Sequence, residues 1–387
     1  MTAQRAAYAA LLVAAAFYFA VANNRESLVL LVVVVMLLAA DAIMALIARR
    51  TMRVTLDMPR TCTRGAMLDL TVDVDLPKPV VYGMLSLRVV ITNRLLGATR
   101  SILLKSAFKK LGGSNKKICV DARHCGAITV SCDGGTVTGP FGLISLPISL
   151  NDQHELLTYP QKKDLAVILA SSPQAQLSSY TYDNRKGSDP TEIFDIRDYA
   201  DGDSLSTVHW KLSAKAGSLV VREASRPTGF DTLVLLDTFS DSDMETVGGD
   251  QADDVFALAR SISAEQAADG LAHDFAFPNG DHLEVCQVET PVQTTQALEL
   301  ALRVPLPQDP GHGLELLLRS LTFEYTKVIC VASSLSRAAA MELSSQCDLS
   351  VVNVSRSSKS VSTESGPYSI VTIPVGSFMR EIRSVTV

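Results

Sequence analysis

Two apolar runs open the chain, Ala6 to Ala22 and Leu28 to Ala48, with only Asn23, Asn24, Arg25, Glu26 and Ser27 between them. A bilayer span needs ~20 mainly apolar residues, so the second run is long enough to cross and the first lies near the lower limit of about 17. The pair reads as a transmembrane helical hairpin occupying residues 1–50. For the first run a cleaved signal peptide is the competing reading, because Ala20 and Ala22 are small enough for a processing site; the closeness of the second run favours the hairpin. Arg5 precedes the first run and Arg49, Arg50 and Arg53 follow the second, whereas the short loop sets Arg25 beside Glu26. The excess of arginine places both ends, and the large domain beyond them, in the cytoplasm. Asp41 interrupts the second run. Intramembrane carboxylates mark functional paths in many membrane proteins, but this one sits in the C-terminal half of its run, and local packing is its expected role.

The remainder is globular in composition. At 387 residues, with 47% hydrophobic and 20% charged residues, the chain is expected to form two or three units. A formal net charge of −6 and the lack of a dominant basic face argue against nucleic acid as a partner. Lys105, Lys109, Lys110, Lys116 and Lys117 form a local basic cluster, read as a solvated loop around Gly112, Gly113 and Ser114, with anionic lipid headgroups as the alternative contact. The cysteines at 62, 119, 125, 132, 286, 330 and 347 make no CxxC pair and read as reduced thiols, which leaves no zinc-finger spacing.

From Val54 to Leu150, short apolar runs alternate with turn residues, as in Leu68–Val74, Met84–Thr92 and Ala127–Cys132. That spacing predicts an antiparallel β-sandwich over 51–160. A Ser-, Gln- and Ala-rich connector with Pro173 follows and leads into a charged stretch, the two together filling 161–230. Beyond it, strand and helix patterns alternate. Strands are expected at Thr232–Leu236, His273–Phe277, His282–Val288, Lys327–Ala332 and Leu349–Val354, and helices at Ala252–Ala268, Thr294–Leu302, Leu314–Leu321 and Ser336–Ser344. This order predicts an α/β sandwich with a mainly parallel sheet over 231–387.

The charged stretch, Asp183 to Glu223, surrounds the only tryptophan of the chain with acidic and basic residues. Sharing one small volume with Ile193, Phe194, Ile196, Tyr199 and Trp210, these charges must find partners, as a structural keystone or as a site. The segment also resembles a bacterial membrane-protein family, domain-of-unknown-function family fifty-eight. The likeness rests on Arg197, Asp198, Tyr199, Gly202 and Asp203, then Trp210, Ser213, Ala214, Lys215, Leu219, Val221, Arg222 and Glu223. Asp201 departs from it, standing where proline commonly precedes the Gly-Asp pair, as do Ser206 and Thr207, where basic residues are usual. Upstream, Gly139-Pro140-Phe141-Gly142-Leu143 resembles the family's Asp-Pro-Phe-Gly-Leu turn, with Gly139 in place of the aspartate.

The resemblance implies a membrane-anchored α/β protein of the bacterial inner membrane, with a transmembrane helical hairpin, a β-sandwich and a C-terminal von Willebrand A-like α/β sandwich. It also implies a non-enzymatic scaffold or adaptor that docks a MoxR-type AAA+ ATPase and other envelope membrane proteins during assembly or maintenance of envelope complexes. Its partner-binding or structural network would be Arg197, Asp198, Tyr199, Gly202, Asp203, Trp210, Ser213, Lys215, Arg222 and Glu223. In von Willebrand A domains the first strand ends in an Asp-x-Ser-x-Ser metal motif; here the stretch from Asp237 has Phe239 and Asp241 at the two serine positions. Oxygens of Asp237, Ser240 and Asp241 would suit magnesium, and no other cofactor is expected. The competing role for Asp237 is in a polar loop, capping the next element along the chain. The acidic set Asp195, Asp198, Asp201 and Asp203 lacks the register of a calcium loop. A hydrolase built on His209 and Ser213, four residues apart, is the enzymatic alternative; it lacks a GxSxG elbow.

Overall fold

The computed structural model describes residues 3–75, 82–109, 114–150, 152–163, 166–168, 182–198, 209–227, 232–241, 247–320, 325–378 and 384–386. It divides into two compact units, Met1–Gln161 and Lys162–Val387.

The first unit begins with α1 (Ala3–Ala22) and α2 (Arg25–Thr51), both long and apolar enough to cross a membrane. Asn23, at a φ of 46°, turns the chain between them, in the left-handed region that asparagine tolerates better than most residues. The shielded residues of α1 are Arg5, Tyr8, Leu12, Ala15, Phe19 and Ala22. Along α2 a matching stripe runs through Ser27, Leu31, Val34, Leu38, Asp41, Ala45 and Ala48. Steps alternating between three and four residues define a 3.5-residue repeat, the seam of two helices packed knobs into holes. The Tyr8 hydroxyl donates across it to the Val34 carbonyl.

Below Asp41 the same helix changes neighbours. Ala48, with Met44, Ile47 and Met52 around it, joins the core of the β-sandwich. That sandwich is made of β1 (Arg53–Asp57), β2 (Thr61–Thr63), β3 (Ala66–Asp75), β4 (Tyr82–Asn93), β5 (Ala98–Lys109), β6 (Ser114–Ala122), β7 (Gly126–Thr138), β8 (Ser145–Ile148) and β9 (Gln153–Tyr159). One sheet has the order β1-β3-β6 and the other β2-β9-β7-β4-β5, with β8 also on β7. Alternate residues face inward, Leu70, Val72 and Val74 from one sheet against Leu85, Leu87, Val89, Ile128 and Val130 from the other.

The turn between β7 and β8 meets the helices through one carboxylate. Asp41 is fully buried and accepts hydrogen bonds from three backbone amides, Phe141 (2.8 Å), Leu143 (3.1 Å) and Ile144 (2.8 Å). Arg5 reaches the same turn, donating to the Gly142 carbonyl at 3.4 Å and to Ser145 Oγ. Glycine at 139 makes the approach feasible, since a Cβ there would lie 2.3 Å from Asp41 Oδ1. A carboxylate from another part of the chain thus fills the space beside Gly139.

The second unit contains β10 (Ala166–Ile168), β11 (Tyr182–Asp198), α3 (Trp210–Ala216), β12 (Val220–Pro227), β13 (Thr232–Asp237), α4 (Val247–Ala268), β14 (His273–Asn279), β15 (His282–Val288), α5 (Pro291–Ala301), α6 (His312–Arg319), β16 (Lys327–Ala332), α7 (Arg337–Ser344), β17 (Asp348–Ser355), β18 (Ser362–Ser365), β19 (Ser369–Pro374) and β20 (Ser384–Thr386). Its main sheet has seven strands in the order β15-β14-β13-β16-β17-β19-β18. The pairings from β14 through β19 are parallel, and the two edge strands β15 and β18 are antiparallel. Leu233, Leu235, Val328, Cys330, Leu349 and Val351 pack against Leu314 and Leu317 of α6 and Ala339, Ala340 and Leu343 of α7. Residues of the other parity face the opposite side, where α4 and α5 lie. Both faces are covered, which is why these strands read as continuous apolar runs.

The strands and helices expected after Thr232 are present, His282–Val288 and Lys327–Ala332 with the expected bounds and the others with shifted ends. β18 and β19 went unread in the sequence. β18 is exposed along its whole length and so lacks the apolar alternation by which a strand is recognised. Among the described residues of the charged stretch, read as following a connector, β11 pairs antiparallel with β12 through four register shifts, and α3 precedes β12.

Removing the buried Asp41 carboxylate takes the acceptor from three amides of one turn. Asp41→Ala is expected to lower the unfolding free energy of the detergent-solubilised protein by roughly 3 kcal/mol or more, and Asp41→Asn, which keeps one acceptor oxygen, by less. Denaturant unfolding monitored by circular dichroism checks this; equal stability of all three proteins would contradict it.

Candidate functional site

After β13 the chain crosses to β14 on one side of the sheet, and β16 later joins β13 on the other. Loops leaving β13 and β16 therefore diverge, opening a crevice at the carboxyl ends of the parallel strands, where open α/β sheets bind ligands. Asp237 is the last residue of β13 and 1% exposed. Its Oδ1 accepts from the Gly313 amide at 3.0 Å and its Oδ2 from the Leu314 amide at 3.2 Å. Those amides belong to the first turn of α6, whose orphan donors and dipole favour a carboxylate. Gly313 permits the contact, because a Cβ there would lie 2.9 Å from Asp237 Cγ.

Burial dominates the electrostatics of Asp237 and pushes its carboxyl up from 3.8 to about 6, against the lowering effect of the Gly313 and Leu314 amides and of His312. Neighbouring groups complete the rim. Arg356 donates from Nε to Gln251 Oε1 (2.6 Å) and from a terminal nitrogen to Asp241 Oδ2 (2.8 Å). Gln251 Nε2 in turn donates to the carbonyls of Ser333 (2.7 Å) and Val354 (2.6 Å), tying α4 to the ends of β16 and β17. The hydroxyls of Thr238 and Ser333 are buried here without a hydrogen-bond partner among the described residues. Sequence reasoning passed over Gln251, Ser333 and Arg356, because their proximity depends on strand order rather than on spacing along the chain.

Both Asp237 oxygens face backbone donors, and the Arg356 guanidinium already neutralises Asp241. Ser240 holds its place through its amide, which donates to the Pro307 carbonyl at 2.6 Å. Arg356 supplies beside Asp241 the positive charge that a cation would bring.

In the charged stretch, Arg197 and Asp198 end β11 opposite Val221 and Val220, and Arg222 and Glu223 lie in β12 opposite Ile196 and Asp195. Trp210 opens α3, and Lys215 is exposed in its last turn. Tyr199, Gly202 and Asp203 lie outside the described residues. Ser213 is buried; its Oγ donates to the His209 carbonyl at 3.1 Å and accepts from the Val220 amide at 2.9 Å. The His209 ring instead accepts from the Leu212 amide at 3.4 Å as the N-cap of α3. Hydroxyl and imidazole serve separate backbone groups, so the pair holds α3 to β12 and is not arranged for nucleophilic catalysis. An apolar cavity of about 440 Å³ lies between α6 and the β14–β15 hairpin, lined by Leu233, Leu283, Val285, Leu316, Arg319 and Tyr325 among others. The Tyr325 hydroxyl donates to Asp274 at 2.8 Å.

No family model matches the chain, nor does any curated protein. Among solved structures, a cohesin module from a Clostridium perfringens family 33 glycoside hydrolase is 13% identical, covers 28% of this chain and 96% of its own, and has a TM-score of 0.22. A Listeria innocua β-glucosidase in complex with gluconolactone is 9% identical, with 28% of this chain and 16% of that one covered and a TM-score of 0.20. A Parabacteroides merdae β-glucuronidase is 7% identical over 79% of this chain and 35% of its own, also with a TM-score of 0.20. Likenesses this weak bear on neither fold nor function.

Two outcomes are expected of the Asp237 contact. Its raised titration favours the protonated folded form, so its contribution is full below about pH 4 and is lost as pH rises through about 6. Relative to Asp237→Asn, wild-type stability should therefore fall by roughly 2–4 kcal/mol between pH 4 and 7, read from denaturant unfolding at stepped pH. Gly313→Ala should force α6 away from β13 and cost about 1–3 kcal/mol, measured the same way at fixed pH.

Proposed function

We propose that this chain is a membrane-anchored scaffold of the bacterial inner membrane, with its large domain cytoplasmic, which docks a MoxR-type AAA+ ATPase and envelope membrane clients. The observation that carries the reading is the continuity of α2, which lies against α1 along an apolar hairpin and then enters the core of the β-sandwich. A helix shared in this way is a rigid mount rather than a tether, and it suits a protein that must hold a partner at the membrane. The partner class comes from the family resemblance of the charged stretch and the turn at Gly139.

In this reading the chain performs no turnover of its own. The ATPase supplies the energy, and the rim of the α/β unit and the β11–β12 ribbon supply contact. Half-exposed charges such as Asp241 and Arg356 would steer association, while buried apolar anchors would set the rate of release. The von Willebrand A-like assignment of the second unit draws support from its mainly parallel sheet with helices on both faces and from a first strand that ends in aspartate.

Co-purification from gently solubilised native membranes tests the proposal, with wild type compared with Arg356→Ala and Asp203→Ala variants of verified folding, with and without ATP and magnesium. An AAA+ ATPase should accompany the wild type and drop several-fold with at least one variant. Recovery of no ATPase under any nucleotide condition would reject it.

A further inference from the structure

We propose that the Gly139–Ile144 turn is itself a membrane element, seated at the boundary between headgroups and acyl chains, with Phe141 as its lipid-facing side chain. The proposal rests on the reading of α1 and α2 as a transmembrane hairpin. Three observations support it.

The first is the accounting of backbone donors. Gly139 N–H donates to the Ile144 carbonyl (3.0 Å) and Gly142 N–H to the Gly139 carbonyl (3.1 Å). Phe141, Leu143 and Ile144 donate to Asp41, and Pro140 has no donor to satisfy. Every amide of the turn is therefore paired within the protein. In water an exposed turn does not need this, whereas non-helical backbone at membrane depth persists only where its polar groups are satisfied internally.

The second is depth. From Arg25 to Asp41 the helix rises about 24 Å, which leaves Asp41 inside a hydrocarbon layer of ~30 Å, near its edge. The apolar belt of α2 continues past that level, with Ile43 56% and Leu46 41% exposed. Ile43 and Leu46 lie on the side of α2 away from Asp41, so they mark the level of the apolar belt at the depth of the turn.

The third is composition. Gly-Pro-Phe-Gly-Leu-Ile contains no charge, and Phe141 is 50% exposed. The nearby cation, Arg5, spends its head group on the turn and the strand after it, a disposition suited to the interface. An aromatic ring at this depth is an anchor of the kind that fixes proteins at membrane interfaces.

The test uses the full chain reconstituted in phosphatidylcholine vesicles, with and without lipid brominated near the top of its acyl chains. Two variants are compared, Phe141→Trp and Met67→Trp, each after subtraction of the Trp210 signal measured in wild type. Met67 is 76% exposed and begins β3, which pairs there with the end of β6. That end leads into the start of β7, 13 residues and roughly 40 Å along the strand from the turn. Bromolipid should quench the added fluorescence of F141W and not that of M67W, and acrylamide should quench F141W several-fold less.

As a second measurement that leaves Trp210 and the fold aside, a benzophenone side chain placed at 141 should add the mass of a lipid on photolysis, and one at 67 should not. Equal acrylamide access at the two positions, or a crosslink from 141 to another copy of the chain instead of lipid, would overturn the proposal. If the wild-type protein fails to float with the vesicles, the hairpin reading falls and the turn with it. If it floats while position 141 is open to water, only the turn proposal falls.

Discussion

A buried carboxylate, Asp41, anchors the helices of the first unit to the turn between two of its strands. Asp41 lies in an otherwise apolar helix, where an unpartnered charge would be expensive to keep, and three amides of one turn offset that cost. The contact is mutual in its effect. The helix supplies the acceptor that a tight, uncharged turn needs, and the turn supplies the donors that allow a carboxylate to stay in the helix. Since α2 then continues into the sandwich core through Ala48, the hairpin and the sandwich become one body.

The second unit repeats the device with a different pair of elements. Asp237, at the end of a strand, captures the first amides of α6 just as Asp41, within a helix, captures the turn. In both places a glycine faces the carboxylate, and a Cβ at Gly139 or Gly313 would lie only 2.3 or 2.9 Å from the nearest atom of the aspartate. Close packing of backbone against carboxylate, enabled by the missing side chain, sets the geometry of both units. The two aspartates thus read first as structural residues. The polar rim beyond Asp237 is left to Asp241, Gln251 and Arg356, whose mutual bonds fix the ends of β16 and β17.

Element type was legible wherever burial imposed a period. Lys327–Ala332 is buried on both faces and reads as an unbroken apolar run, and the helices α4 to α7 follow their apolar spacing. β18 was invisible because an edge strand open to solvent need not alternate. The ladder of β11 with β12 was hidden for a related reason: its register shifts interrupt the two-residue period. Among candidate site residues, Asp237 was found from its place at a strand end; the alternative expected it to cap the next element, and its bonds go instead to α6, a helix far along the chain. Ser333 and Arg356 left no local signal.

The sequence by itself determined the apolar hairpin, the order of strands and helices after Thr232, and the presence of a carboxylate in the second apolar run. Those properties follow from hydrophobic period and run length, which are local. Only the tertiary structure decided what Asp41 binds, which helix Asp237 caps, and that Arg356 stands against Asp241. Each of these joins residues 76 or more positions apart, and their meeting depends on strand order and on which glycines leave room for a neighbouring side chain.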